Sequence, residues 1–395
     1  MNTREPFDRG FISRALTGLA SAPRDAEEAR QIVAHIVWSH LVEPGDSVAG
    51  RLVGACGAAD ALGIVIRQEA WPEGFTAKER KNALGRWHPR LSMTHVEQSL
   101  AVAQRVGISV LVPGSPEWPP GLSDLGDHAP LCIWGRGQVD TLIAPSVSLA
   151  VVGARAATSY GEHVAAEIAG ELATDGTRIY SGGAYGIDGA AHRAALAVGG
   201  TTVAVLAGGV ERAYPSGNES LLDRVRAQGA IIGEVPPGST PTRWRFLQRN
   251  RLIAALSAAT VVVEAGWRSG SLNTAGHAMA LGRPLGAVPG PVTSATSVGC
   301  HRLMREYDAL CVTGADDVRE LLGVEVAAPA TRPDSRTDDT TRVRDALSAR
   351  TWYPTAEVAR RAGMVQDDVE TILGLLALEG TAEASLIGWR RGSGR

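Results

Sequence analysis

The chain has 395 residues, 44% of them apolar and 21% charged, with a formal net charge of -3. That length accommodates two or three domains around a sizeable core, and the apolar share excludes wholesale disorder. The charge balance excludes a global basic field, so any polyanion site has to be a local groove.

Residues 1–24 read as an N-terminal extension, and residues 25–106 as helical. Ile32, Val33, Ile36, Val37 and Leu41 recur at helix spacing, Pro44 and Gly45 interrupt, and RLVGACGAADALGI (51–64) resumes the pattern. A small all-α domain over 1–106 is expected. Residues 107–145 form a proline-rich lead-in holding two candidate strands, ISVLV (108–112) and LCIWG (131–135). From 146 to 320, strand and helix patterns alternate. Six apolar, β-branched segments end in or near glycine: SLAVVGA (148–154), TRIYSGG (177–183), TTVAVLAGG (201–209), AIIGEV (230–235), ATVVVEAG (259–266) and PLGAVPG (284–290). HVAAEIAGELATDG (163–176) typifies the helical patterns between them. The alternation predicts an α/β fold with a doubly wound parallel sheet, which binds ligands beyond the carboxyl ends of its strands. Residues 327–341, AAPATRPDSRTDDTT, contain no Leu, Ile, Val or Phe and read as a linker. In 342–395, VRDALSA, TAEVARRAG with Thr355 as N-cap, and QDDVETILGLLALEG predict three helices, followed by strand-like ASLIGWRRG. That order predicts a winged-helix-like module. Asp367, Asp368 and Glu370 argue against phosphate contact on their helix face, so protein contact stands beside DNA contact as its expected role.

Lysine occurs only at Lys78 and Lys81. A GC-rich coding sequence explains that bias, and arginine also suits bidentate phosphate contacts and base stacking. Cys56, Cys132, Cys300 and Cys311 form no CxxC pair, which argues against zinc and against a disulfide framework. No apolar run has signal-peptide or bilayer-spanning length, so no membrane span is expected and a cytoplasmic location is.

Four segments carry chemistry. SGGAYGIDGAAH (181–192) joins a strand end to an alanine-rich helix through Gly182, Gly183 and Gly186. Such a loop brings backbone N–H groups to a helix start, where phosphate oxygens bind, and its glycines permit positive φ. Asp188 reads as a cap of the following helix and His192 as a packing residue. VVGARAATSYG (151–161) lacks GxGxxG, and the next strand ends in Tyr180 and Ser181 rather than an acid, which disfavours a nicotinamide cofactor. Arg155 with Thr158 and Ser159 at a strand end suits a phosphate instead; the alternative is a surface arginine beside an N-cap.

In RWRFLQRNRLIAALS (243–257), Arg243, Arg245, Arg249 and Arg251 interleave with Trp244 and Phe246 ahead of an apolar helix. Cations for a backbone and flat faces for bases are what a single-stranded nucleic acid needs; a solvated loop with buried aromatics is the alternative. In VVVEAGWRSGSLNTAGHAMALGR (261–283), Arg268, Ser269, Gly270 and Ser271 precede a helix start and offer donors to a second anion. There is no GxSxG, HExxH, Walker loop or Ser-His-Asp set, so neither catalytic residues nor a cofactor or metal is expected. Glu264 and Asp188 form a carboxylate pair only if the fold joins them.

Taken together, SGGAYGIDGAAH, YPSGN (214–218), GEVPPG (233–238), QRNRLIAALS, VVVEAGWRSGSLNTA and AVPGP resemble the DNA-processing protein A family, DprA or Smf, in order and spacing. The lead-in SPEWPP…LGDHAPLCIWGRG is similar too. The resemblance implies an extended Rossmann-like core over 107–320 that binds single-stranded DNA. Around it are implied a helical domain of SAM or helix-hairpin-helix type over 1–106 and a C-terminal module of varying kind. It also implies RecA as a partner, loaded onto incoming DNA in natural transformation, and a homodimer. Carried over, the DNA pocket falls on Arg155, Ser159, Gly182, Gly183, Arg249 and Arg251, with Ser269 and Gly270 nearby; Arg245 and Arg268 complete the expected set. Two positions depart from the family pattern: Leu247 follows Phe246 where proline is usual, and Cys300 follows Gly299 where asparagine is frequent. The rival reading is a nucleoside-monophosphate phosphoribohydrolase on a related core. Those enzymes carry PGGxGT followed by an acid, and EAGWRSGSLNTAGH has no acid after Thr274. A third reading is an α/β scaffold whose terminal module recruits a partner.

Overall fold

The computed structural model describes residues 7–19, 23–144, 146–324 and 339–392. The chain begins with six helices: α1 (Arg9–Leu16), α2 (Ala26–Leu41), α3 (Ser47–Cys56), α4 (Ala58–Arg67), α5 (Ala77–Trp87) and α6 (Met93–Val106). Side-chain caps start most of them. Asp25 accepts from the Glu28 N–H at 2.8 Å, and Thr76 and Glu79 form a reciprocal capping box. The segment read as one renewed helix is two, broken at Gly57, whose φ of 81° only glycine adopts freely. Trp38 and Trp87 are fully buried and meet edge to face at 5.2 Å, and their indole N–H groups find the Ala58 carbonyl and the Asp46 carboxylate.

The rest of the first unit alternates β1 (Ile108–Leu111), β2 (Ile133–Gly137), β3 (Ser148–Val152), α7 (Ser159–Thr174), β4 (Arg178–Ser181), α8 (Ile187–Ala197), β5 (Thr202–Leu206), α9 (Glu219–Gln228) and β6 (Ala230–Gly233). There follow α10 (Arg243–Leu256), β7 (Ala259–Val262), α11 (Ser271–Ala280), β8 (Leu285–Ala287), α12 (Val298–Glu306), β9 (Leu310–Cys311) and α13 (Ala315–Leu321). They build one nine-stranded sheet in the order β1-β2-β6-β5-β4-β3-β7-β8-β9. Seven strands are parallel, while β2 pairs antiparallel with both β6 and β1. The sheet is therefore doubly wound about β3, with the lead-in strands added at one edge.

Successive side chains of each strand go to opposite faces. Leu149 and Val151 pack with Ile168, Leu172 and Ile187 of α7 and α8, whereas Ala150 and Val152 pack with Leu252, Ile253 and Ala275 of α10 and α11. Ala204 and Leu206 of β5 belong to a cluster with α9 and with Val33, Trp38 and Leu62 of the helical region. That shared cluster packs the helical region against β5 and α9, and the residues up to 324 form one compact unit.

The second unit holds α14 (Asp339–Ala346), α15 (Thr355–Ala362), α16 (Gln366–Leu378) and an antiparallel ribbon of β10 (Ala382–Ser385) and β11 (Gly388–Arg391). Its own cluster includes Val343, Val358, Val369 and Leu373. Pro354, not Thr355, takes the N-cap position of α15. Of the expected linker, 327–338 lies outside the described residues, and Asp339 already opens α14. Among the described residues no single helix is long and apolar enough to cross a membrane; α3 and α4 meet that test only as a pair, and they bend by 112° at their junction.

Candidate functional site

In an open α/β sheet the ligand crevice lies where the strand order reverses, outside the carboxyl ends of the strands. Here that point is β3, between β4 and β7. A cleft of about 500 Å³ opens there, lined by the end of β3, the start of α8, the first three turns of α10 and the loop into α11.

Arg155 leaves β3 and stands exposed, its guanidinium 4.7 Å from the centre of the Phe246 ring. Tyr214 lies against the same ring at 5.6 Å and is 46% exposed. This is an aromatic pair carrying a cation, open to solvent. Arg243 and Arg268, both exposed, stand at the cleft's other edges. The first turn of α11 adds Ser271 and Thr274; Gly270 in the N-cap position supplies no side-chain cap, so the N-terminal dipole of a ten-residue helix faces the cleft beside Arg268.

The segment 243–257 is helical from its first residue, with Thr242 as N-cap accepting from the Arg245 N–H at 3.2 Å. The arginines are therefore distributed around a helix rather than along a loop, and they part company. Arg249 forms the cleft floor. It is buried, donates at 2.8 Å to the Gly182 carbonyl and also to that of Val205, and bonds Asn250 at 3.1 Å. Burial pulls its guanidinium down to about 10, against the opposing charge of Asp188. Arg251 turns away from the cleft into a bidentate pair with Glu234, 2.7 Å at each oxygen, and donates to the His128 carbonyl. Arg245 grips Glu43 of the helical region at 2.8 and 2.9 Å. Neither lines the cleft expected to hold them, because carboxylates distant in sequence claim both guanidiniums.

The glycine loop also differs from its expected role. Asp188 does not cap α8; its carboxylate reaches back to accept from Gly182 N–H at 3.1 Å and Ala184 N–H at 3.4 Å. Two donors expected to face a phosphate are thus already taken, and Gly182 and Gly183 are buried behind Arg249. A Cβ on Gly182 would sit 2.5 Å from the Arg249 guanidinium nitrogens, and one on Gly186 (φ 71°) would strike the Arg155 carbonyl at 2.6 Å. The glycines admit close packing of the Arg249–Asp188 floor. Burial raises the Asp188 pKa, and Arg249 and the two N–H groups oppose that rise.

Ser159 opens α7 on an exposed position outside the cleft, whereas Ser269 and Gly270 line it. Glu264 is not joined to Asp188: it accepts from Thr158 N–H and hydroxyl and from the Thr296 hydroxyl, which ties the start of α7 to the 290s loop. His192 is fully buried, its Nδ1 2.7 Å from the Thr202 hydroxyl. Tyr214 was missed by sequence reasoning, although its place in YPSGN marked it. Among the described residues no group of three His, Cys, Asp or Glu is placed to hold a metal ion.

A mostly parallel sheet with a cationic, aromatic cleft at its switch point defines a doubly wound α/β protein whose cleft lies where such sheets take their ligands. The family model of DNA recombination-mediator protein A matches residues 109–323, more than half of the chain, and the protein belongs to that family. It is 42% identical over 374 residues to a Mycobacterium tuberculosis protein provisionally named DNA processing protein DprA, covering 89% of this chain and 93% of that one. The structure of DNA processing protein A from Streptococcus pneumoniae matches with a TM-score of 0.56 and 28% identity over 82% of this chain and 99% of that one. A structure concerning the single-stranded DNA binding mode of DNA processing protein A from Helicobacter pylori matches with a TM-score of 0.50 and 27% identity, covering 54% of this chain and 95% of that one.

Proposed function

We propose that the protein binds single-stranded DNA across the switch-point cleft and acts as a recombination mediator, loading RecA onto the strand during natural transformation, as a cytoplasmic homodimer and without chemistry on the DNA. One observation carries the binding step: exposed Arg155, Arg243 and Arg268 line one cleft with the Phe246–Tyr214 ring pair, Arg155 resting on Phe246. Phosphates meet arginines and the α11 N-terminus, and bases meet ring faces, an arrangement tolerant of sequence. The Helicobacter pylori relative supports the choice of polymer. RecA and the homodimer rest on family membership alone.

The test is a salt titration of oligonucleotide binding. Arg155→Ala is expected to weaken single-strand affinity with little sequence bias and to reduce the slope of log K against log salt by about 0.7. An unchanged slope for both Arg155→Ala and Arg268→Ala removes the cleft as the binding site. RecA loading is tested by RecA assembly on strands coated with single-strand-binding protein, accelerated by the wild type and not by Arg155→Ala. The rival enzyme reading requires free base to appear from a nucleoside monophosphate.

A further inference from the structure

The cleft shares wall residues with a second depression, and that one with a third. Tyr214 and Pro241, which line it, are also walls of a second depression of about 160 Å³ that holds Arg212. Gly238 and Ser239 of that depression line a third, of about 490 Å³, between the helical region and the turn at 236–239. Helix α10 serves both ends: Arg243 and Phe246 face the first, and Arg245 faces the third.

The third depression has the chemistry of a phosphate track. Arg90 and Arg245 both donate to Glu43, at 2.5 and 2.8 Å, so two guanidiniums share one carboxylate and a net positive charge remains. His95 and Gln98, on one exposed face of α6, add side-chain donors. In the middle depression Arg212 is exposed, while Glu211 accepts from the Gly238 N–H at 2.9 Å. Tyr214, between the first two, offers a ring face at the crossing. Arginines thus outnumber carboxylates in the first and third of these neighbouring depressions, in a chain of net charge -3. Pro236, Pro237 and Pro241 stiffen the wall, so the track exists before any ligand arrives.

We infer that a single strand held in the switch-point cleft continues past Tyr214 into the third depression, where the helical region contacts its backbone through Arg90, His95 and Gln98. This rests on reading the first cleft as a single-strand site. The helical region then lengthens the binding footprint, and a strand long enough to span all three depressions gains contacts that a short one lacks.

The test uses the full chain and oligo(dT) of about 8 and about 24 nucleotides, lengths chosen around a single-module footprint. Binding is followed by anisotropy at about 0.15 M salt, where screening confines a surface charge to its surroundings. Gln98→Glu is expected to weaken binding of the longer strand by about three- to tenfold and Gln98→Arg to tighten it comparably. Neither should move the shorter strand by more than about twofold. Gln98 is exposed on α6, so both variants should remain folded. Gln98 variants that leave the longer strand unchanged, or shift both lengths equally, overturn the inference. Arg155→Ala, measured in parallel, separates the two readings: loss at both lengths keeps the cleft, and no loss at either length removes the cleft itself.

Discussion

Arg155 and Arg249 border the same cleft and face opposite demands. Arg155 is exposed and rests on a ring, so Arg155→Ala should change stability by less than about 0.5 kcal/mol. Arg249 is buried against Asp188, and Arg249→Ala leaves a buried carboxylate without its counter-charge, a loss of about 3–5 kcal/mol readable in urea unfolding. Weakened DNA binding by Arg249→Ala would therefore report a collapsed floor as well as a lost cation. His192 offers a pH test. The Thr202 hydroxyl donates to the Ile179 carbonyl at 2.8 Å, so it accepts from His192 Nδ1–H, which sets the neutral tautomer. Burial pulls this imidazole down to about 3 from its ordinary 6.5. A base whose folded pKa is depressed binds its proton in the unfolded state first, so stability is held above pH 6.5 and lost as pH falls toward 3. Within that window the wild type should lose on the order of 1.4 kcal/mol more per pH unit than His192→Asn, which keeps a donor and does not titrate. Parallel stability–pH profiles for the two proteins would rule this out.

At the scale of elements, the strands were legible because parallel strands buried on both faces are near-continuous runs such as TVAVL and ATVV, closed by glycine. The lead-in strands were legible as strands, but their antiparallel pairing was not, since a short apolar run does not declare its partner. The site was legible to the level of the loop and opaque at the level of the bond. Arg251 and Arg245 look equivalent to Arg249 in sequence. What separates them is Glu234, 17 residues away, and Glu43, 202 residues away. Asp188 was read forward into its helix, whereas two N–H groups behind it offered the better bonds. The glycine loop makes this checkable. Gly182→Ala places a methyl 2.5 Å from the Arg249 guanidinium and must break its bond to the Gly182 carbonyl, so it should cost about 1–3 kcal/mol. Gly270→Ala meets nothing within 4 Å and keeps its N–H, so its thermal midpoint should match the wild type.

At the scale of the molecule, the apolar clusters decide what depends on what. Those of the first unit draw on no residue beyond Leu322, and that of the second draws only on 343–389. Among the described residues each unit therefore has apolar clusters of its own. Five of the second unit's described arginines are ion-paired: Arg342 with Asp339, Arg390 with Glu383, Arg391 with Asp345, and Arg360 and Arg361 sharing Glu357, while exposed Arg344 and Arg350 stand outside these pairs. Its exposed groups include the apolar Leu375, Leu378, Leu386 and Ile387, chemistry that suits a protein surface. Truncation at 325 should then leave the main calorimetric transition and the salt slope of single-strand binding unchanged, while the full chain shows a separate transition for the second unit. A truncated chain with a shallower slope would mean that this unit's arginines reach phosphates, Arg344 and Arg350 directly and the others by leaving their carboxylates. The excess of phosphate over intramolecular partners would have to supply the free energy of opening each pair, which for exposed pairs is at most about 1 kcal/mol. That small cost is why the slope, rather than the structure of the pairs, is the deciding measurement.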